Sequence, residues 1–233
     1  MSAVPPVILR ASQKQTATLI FLHGLGDTGV GWAGALNTIR PPHMKVICPT
    51  ANIIPITLNA GFAMPAWYDI LSLDEQDSGK REDMDGVEEA FDTLSGIVEA
   101  EAKSVPRNRI MVGGFSQGGA VALYTVLKSC DRPPLAGCIA LSTYIPGSAA
   151  GQTALPMMAD GAKVSTPILQ CHGEADETVP VSRGRLTNDI LRKYADDLQF
   201  RTYSGMGHEA TIEELELVKD FIHKCTASRS DAN

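Results

Sequence analysis

The stretch Arg109-Ile110-Met111-Val112-Gly113-Gly114-Phe115-Ser116-Gln117-Gly118-Gly119-Ala120-Val121-Ala122-Leu123-Tyr124 constrains this chain more than any other. A short apolar run passes through Gly114-Phe115-Ser116-Gln117-Gly118 and becomes a segment that is apolar almost all round. That order fits a strand, a very sharp turn and a buried helix. Glycine stands at 114 and 118 because a Cβ at either would clash where the backbone doubles back. The pattern is G-x-S-x-G, the nucleophile elbow, in which a strained turn lifts the serine hydroxyl out of a sheet. The Gln117 amide would open the helix with its N–H free to face an oxyanion. The bare motif is weak evidence; the flanking strand and helix give it weight.

The rest of the chain alternates strands with helices. Val4 to Arg10 reads as an edge strand or lead-in, and Ala17 to Leu22 as a strand covered on both faces. Further strands are expected at Lys45–Pro49, Leu135–Leu141, Thr166–Cys171 and Gln199–Tyr203. Helical patterns run from about Trp32 to Ile39, Asp85 to Ala102 and Val181 to Tyr194. A last helix should carry Ile212, Leu215, Val218 and Ile222 on one face. Residues 51–70 are apolar but hold Pro55 and Pro65, which speaks against a regular core strand. Such a segment packs as an irregular loop or offers apolar surface to a ligand or membrane. The charged run 74–83 is read as a solvated loop, and 142–165 as a long loop near the site.

Alternation of this kind predicts a mostly parallel central sheet with helices on both faces. With the elbow it specifies an α/β-hydrolase fold. At 233 residues the chain should form one domain, 1–233, without a large lid, its last residues from about 226 a flexible tail. No apolar run is long enough to span a bilayer, and no basic-then-apolar leader opens the chain, so a cytoplasmic protein is expected. Five scattered cysteines without C-x-x-C spacing read as reduced thiols, three of them in apolar runs. A formal charge of -7 excludes nucleic acid as the natural partner.

A serine needs a base, and the base an orienting acid; in this fold they follow in the order Ser, Asp or Glu, His. Only His208 and His223 lie beyond a further acid-bearing loop. His223 falls in the last helix, whereas His208 sits in a Gly-Met-Gly-His turn after the final strand. Asp176 is preferred as the acid because Val179-Pro180 then returns the chain to apolar packing; Glu174 is the second choice. The glycine-rich loop His23-Gly24-Leu25-Gly26-Asp27-Thr28-Gly29 matches no phosphate-binding spacing. It is expected to supply the second oxyanion amide, from Leu25. His23, His172 and His208 lack metal-ligand spacing, so no metal and no cofactor are expected, and His23 and His172 should hold loops by hydrogen bonds.

Phe21 to Gly29, Pro49 to Ile70, Gly113 to Tyr124, Gln170 to Pro180 and Tyr203 to His208 together resemble the acyl-protein thioesterase/lysophospholipase family, in matching order and spacing. The resemblance implies hydrolysis of S-palmitoyl-cysteine thioesters at membrane surfaces, with lysophospholipid and short-ester activity besides. It implies Ser116, Asp176 and His208 as the triad, with the Leu25 and Gln117 amides as the oxyanion hole. It also implies an acyl channel lined by Ile70, Leu73 and Tyr144, and an apolar tongue from Leu58 to Met64, with Phe62 and Met64 handling the lipid. Expected partners are S-acylated proteins and lipids, with transient membrane contact; the chain itself would be a monomer or weak homodimer. Two features depart from the family pattern. Some members begin Met-Cys, where this chain has Met1-Ser2. Tyr144 and Thr178 stand where members often carry Trp and Leu. Two other readings stay open: a small-molecule carboxylesterase using the same residues, and a catalytically idle hydrolase-fold binding protein.

Overall fold

In the computed structural model, residues 4–72, 82–148, 158 and 161–227 are described. Seven strands form the main sheet: β1 (Val7–Leu9), β2 (Ala17–Leu22), β3 (Met44–Cys48), β6 (Ile110–Phe115), β7 (Gly137–Leu141), β8 (Ile168–Gly173) and β9 (Leu198–Tyr203). Their spatial order is β1-β3-β2-β6-β7-β8-β9. β1 runs antiparallel at the edge, and every other pairing is parallel. β2, β6, β7 and β8 are apolar along nearly their whole length because helices cover both of their faces.

Helices α2 (Met84–Glu101), α3 (Gln117–Lys128) and α4 (Val181–Tyr194) pack on one face, and Val87, Leu94, Leu123 and Leu191 join the core there. Helices α1 (Gly29–Ile39) and α5 (Ile212–Thr226) cover the other, with Trp32, Leu36, Val218 and Phe221. This is the α/β-hydrolase architecture that the alternation of elements predicts. α1 begins at Gly29, three residues before the apolar periodicity starts.

Two local expectations fail. Ile212 is 82% exposed, because the buried stripe of α5 runs through Glu214, Val218, Phe221 and Ile222, and at 3.6 residues per turn Ile212 falls outside it. Residues 53–65 are regular after all. They form a separate antiparallel ribbon of β4 (Ile53–Ile56) and β5 (Phe62–Pro65), with Pro55 opposite Ala63 and Pro65 opposite Ile53. A two-stranded ribbon leaves one edge of each strand unpaired, where a missing N–H breaks no ladder. Thr226, at the expected start of the tail, is the buried last residue of α5, and its hydroxyl donates to the Ile222 carbonyl. The cysteines at 48, 130, 138, 171 and 225 are all free thiols.

Glu214, in the first turn of α5, is fully buried and neither carboxylate oxygen has a hydrogen-bond partner. Burial pushes its carboxyl up to about 8. The unfolded chain ionises it near its ordinary value, so the folded state loses stability as pH climbs from there to about 8. At about 1.4 kcal/mol per pH unit, the loss reaches a few kcal/mol at most. Glu214→Gln is therefore expected to melt higher than wild type, by a margin that widens from mildly acidic to mildly alkaline pH. A margin that does not change with pH would mean that this carboxyl ionises normally.

Candidate active site

The elbow stands between β6 and α3. Ser116 has φ 53° and ψ -121°, a conformation that side chains rarely adopt. A Cβ on Gly114 would overlap the carbonyl carbon of Gly118, and one on Gly118 would overlap the carbonyl oxygen of Leu22. The two glycines let the start of α3 lie against β6 and β2. Ser116 N donates to the Leu141 carbonyl at 2.8 Å, and Thr143 Oγ1 donates to the Ser116 carbonyl at 2.7 Å. The strained residue is thus tied on both sides.

Three loops at the carboxyl ends of the strands converge on it. His208 Nε2 is 3.0 Å from Ser116 Oγ, and His208 Nδ1 is 2.7 Å from Asp176 Oδ2. The other Asp176 oxygen accepts the amides of Thr178 and Val179 at 2.9 and 2.8 Å. Burial works against an ionised Asp176. The His208 hydrogen bond, the Val179 amide and the neighbouring imidazoles outweigh it and hold the carboxyl below its usual range. Of the two acids, Asp176 is the one that meets His208. Glu174 points to the surface, where it accepts from Thr202 Oγ1 at 2.8 Å. His223 lies in the last turn of α5, away from the cavity that Ser116 lines.

Phe115 stacks on His208 at 4.7 Å between ring centroids, and Trp32 stacks on Phe115 at 5.3 Å. The imidazole therefore rests on an aromatic column, which fixes its plane. His23 and His172 are buried neighbours with fixed hydrogen bonds. His23 Nε2 accepts the Ala51 amide, so its Nδ1–H donates to the Gly24 carbonyl. His172 Nε2 donates to the Val179 carbonyl at 2.8 Å and lies 3.5 Å from Asp176 Oδ2. Burial lowers the pKa of both. Among the described residues, no group of three His, Cys, Asp or Glu side chains is placed to hold a metal.

A cavity of about 490 Å³ opens over Ser116 and His208. Leu25, Ile70, Gln117, Tyr144 and Thr178 line it with the serine and the imidazole. Gln117 is the first residue of α3, so its amide has no carbonyl a turn earlier to pair with. Tyr144 is buried; its hydroxyl lies 3.1 Å from that of Tyr68, and Arg183 lies 3.8 Å over its ring. Leu73 lies outside the described residues. Phe62 and Met64 do not line the cavity. Phe62 is 74% exposed, opposite the buried Ile56 in the ribbon, and Met64 is half-buried and takes an N–H from Asn59.

The braces behind the two glycine-rich turns lie outside any local reading of the sequence. Gly26 N donates to the Pro65 carbonyl at 2.8 Å, and Trp67 Nε1 to the His23 carbonyl at 2.9 Å. The Gln117 carboxamide accepts the Trp67 amide and donates to the Tyr68 carbonyl. The end of the ribbon and the segment after it thereby lock the Leu25 turn and the start of α3 into one frame. Partners 44 and 50 residues apart leave no local signal.

This fold, carrying a hydrogen-bonded Ser-His-Asp arrangement at the strand ends, defines an α/β-hydrolase. The chain belongs to the phospholipase/carboxylesterase family, whose model matches residues 4–226. It is 40% identical over 225 residues to acyl-protein thioesterase 1 of Neurospora crassa, covering 94% of this chain and 90% of that one. Acyl-protein thioesterase 1 homolog 1 of Dictyostelium discoideum is 39% identical, with 90% of each chain covered. Among solved structures, acyl-protein thioesterase 2 of Zea mays superposes with a TM-score of 0.82 at 29% identity, covering 95% of this chain and 99% of that one.

Proposed function

We propose that this protein hydrolyses long-chain acyl thioesters on protein cysteines through an acyl-serine intermediate on Ser116. The observation that carries the reading is the Ser116–His208–Asp176 hydrogen-bonded chain opening into a largely apolar cavity, in a chain whose relatives are named acyl-protein thioesterases. Ser116 Oγ bonds to the thioester carbon as its proton passes to His208 Nε2. The carbonyl oxygen, now negative, is held by the amides of Leu25 and Gln117, and one such donor is worth about 10²–10³ in turnover. The carbon–sulfur bond then breaks, its electron pair goes to sulfur, and His208 returns the proton to the leaving thiolate. Water attacks the acyl ester, gives a proton to the same nitrogen, and Ser116 regains its hydroxyl as the fatty acid leaves. Ionised Asp176 keeps the Nδ1 proton in place and balances the imidazolium.

The test is release of palmitate from a defined S-palmitoyl peptide, measured beside its O-palmitoyl twin. Faster turnover of the thioester supports the reading; exclusive turnover of the oxygen ester would make the enzyme a carboxylesterase instead.

The ribbon is assigned to the membrane. Ile53, Leu58 and Phe62 are 60%, 41% and 74% exposed, apolar side chains spread over both ends of an element that stands outside the main sheet. Placing one such side chain in lipid is worth about 1.5–3 kcal/mol, or about ten- to a hundredfold in membrane residence. The double variant Leu58→Ser, Phe62→Ser, which removes two such side chains, is expected to bind vesicles at least that much more weakly and to slow on a vesicle-bound palmitoyl peptide. A short soluble ester should turn over within a few-fold of wild type. Equal slowing on both substrates would place the ribbon in the catalytic frame. Among the described residues, no helix is long and apolar enough to cross a membrane.

A further inference from the structure

The cavity straddles the carboxyl edge of the sheet. Ile70 belongs to the core under α2, α3 and α4, whereas Trp32, Phe115 and Leu215 belong to the core between the sheet and α1 and α5. The two ends are not equivalent chemically. The imidazole that takes the Ser116 proton must deliver it to the departing sulfur, so that sulfur has to leave on the His208 side. His208 stacks on Phe115, and Phe115 on Trp32, so its side is the α1–α5 side. From there the cavity continues between Trp32 and Ala35 on one wall and Ala210 and Leu215 on the other.

Two carboxylates, Asp27 and Glu209, join the lining, and no Lys or Arg does among the described residues. Asp27 is half-buried and accepts the Thr28 amide at 2.7 Å; Glu209, the residue after His208, is exposed. Neither forms an ion pair within 4.0 Å among the described residues. The exit path for the thiol is therefore an apolar trough with two carboxylates that no cation pairs among the described residues.

We propose that this α1–α5 end is the subsite for the leaving peptide and that it favours a Lys or Arg beside the acylated cysteine. The proposal rests on the thioesterase reading and specifies its substrate class. An ammonium or guanidinium at that position gains charge-assisted hydrogen bonds, while a second carboxylate is repelled. Acyl recognition stays with the Ile70 and Tyr144 end.

The experiment uses the full-length protein and soluble peptides carrying S-octanoyl cysteine flanked by Lys, Ser or Glu, with thiol release giving kcat/KM. Wild type is expected to prefer the Lys peptide over the Glu peptide by about tenfold at low salt, since each exposed charge pair is worth a few-fold and is screened by salt. In Asp27→Asn, Glu209→Gln the ratio should fall towards one. Glu209→Gln alone, at an exposed position, should give a partial loss and serves if the double variant melts early. A wild-type ratio of one, or a ratio that the substitutions leave unchanged, would each overturn the subsite. Equal turnover of all three peptides sinks only this inference. Three inert thioesters beside active oxygen esters would remove the thioesterase reading and this inference together.

Discussion

Ser116→Ala is expected to abolish labelling by a fluorophosphonate probe and to remove thioester hydrolysis, with no loss of thermal stability. Among the described residues the serine hydroxyl bonds to His208 alone, and the turn is held through the Ser116 backbone, by the Leu141 carbonyl and the Thr143 hydroxyl. Ser116→Gly separates chemistry from architecture more sharply. With φ at 53° the native residue is strained, and glycine relieves that strain by about 1 kcal/mol or more. The glycine variant should thus be inactive and melt higher than wild type. Labelling that persists in either variant would move the nucleophile to another serine. A glycine variant that melts lower would mean that the elbow is not strained in solution.

Asp176→Asn is expected to lower kcat by about 10⁴ while KM stays within a few-fold, the size of loss known when such an acid becomes an amide. Asp176 Oδ1 takes two backbone amides, and those bonds survive if the Asn oxygen replaces it. The amide nitrogen then faces His208 Nδ1, where it favours the tautomer whose proton sits on Nε2 and cannot accept from Ser116. Glu174→Gln serves as the internal comparison. Its side chain meets Thr202 and, at 4.0 Å, Arg185, both away from His208, so turnover should hardly change. If Glu174→Gln were the damaging change and Asp176→Asn the mild one, the hydrogen-bonded arrangement would not be the working one.

These variants test what chain order, periodicity and tertiary contact each contribute. The elbow, the alternation of strands and helices, and the parallel sheet were legible because each is encoded within a dozen neighbouring residues. Glycines at 114 and 118 report a backbone crossing, and the unbroken apolar runs at 17–22 and 110–115 report strands covered on both faces. His208 was legible because so few histidines follow Ser116 in the required order.

Local pattern could rank Asp176 over Glu174 but could not exclude either, since both follow β8 in one turn. Only packing decided it, by turning Asp176 inward under the Thr178 and Val179 amides and Glu174 outward to Thr202. The same holds for the ribbon. Pro55 and Pro65 argue against strand in a central sheet, and nothing in the local sequence says that this strand pair stands alone, with free edges. Ile212 was misread because helical spacing defines a stripe, whereas the neighbours of α5 decide which stripe is covered. The brace from Trp67 and Gln117 to the two glycine-rich turns was beyond any local reading, for its partners meet only when the sheet has formed. Short-range sterics and periodicity thus determined the elements and the place of Ser116 at the elbow, and long-range packing decided which acid and which backbone braces meet around it.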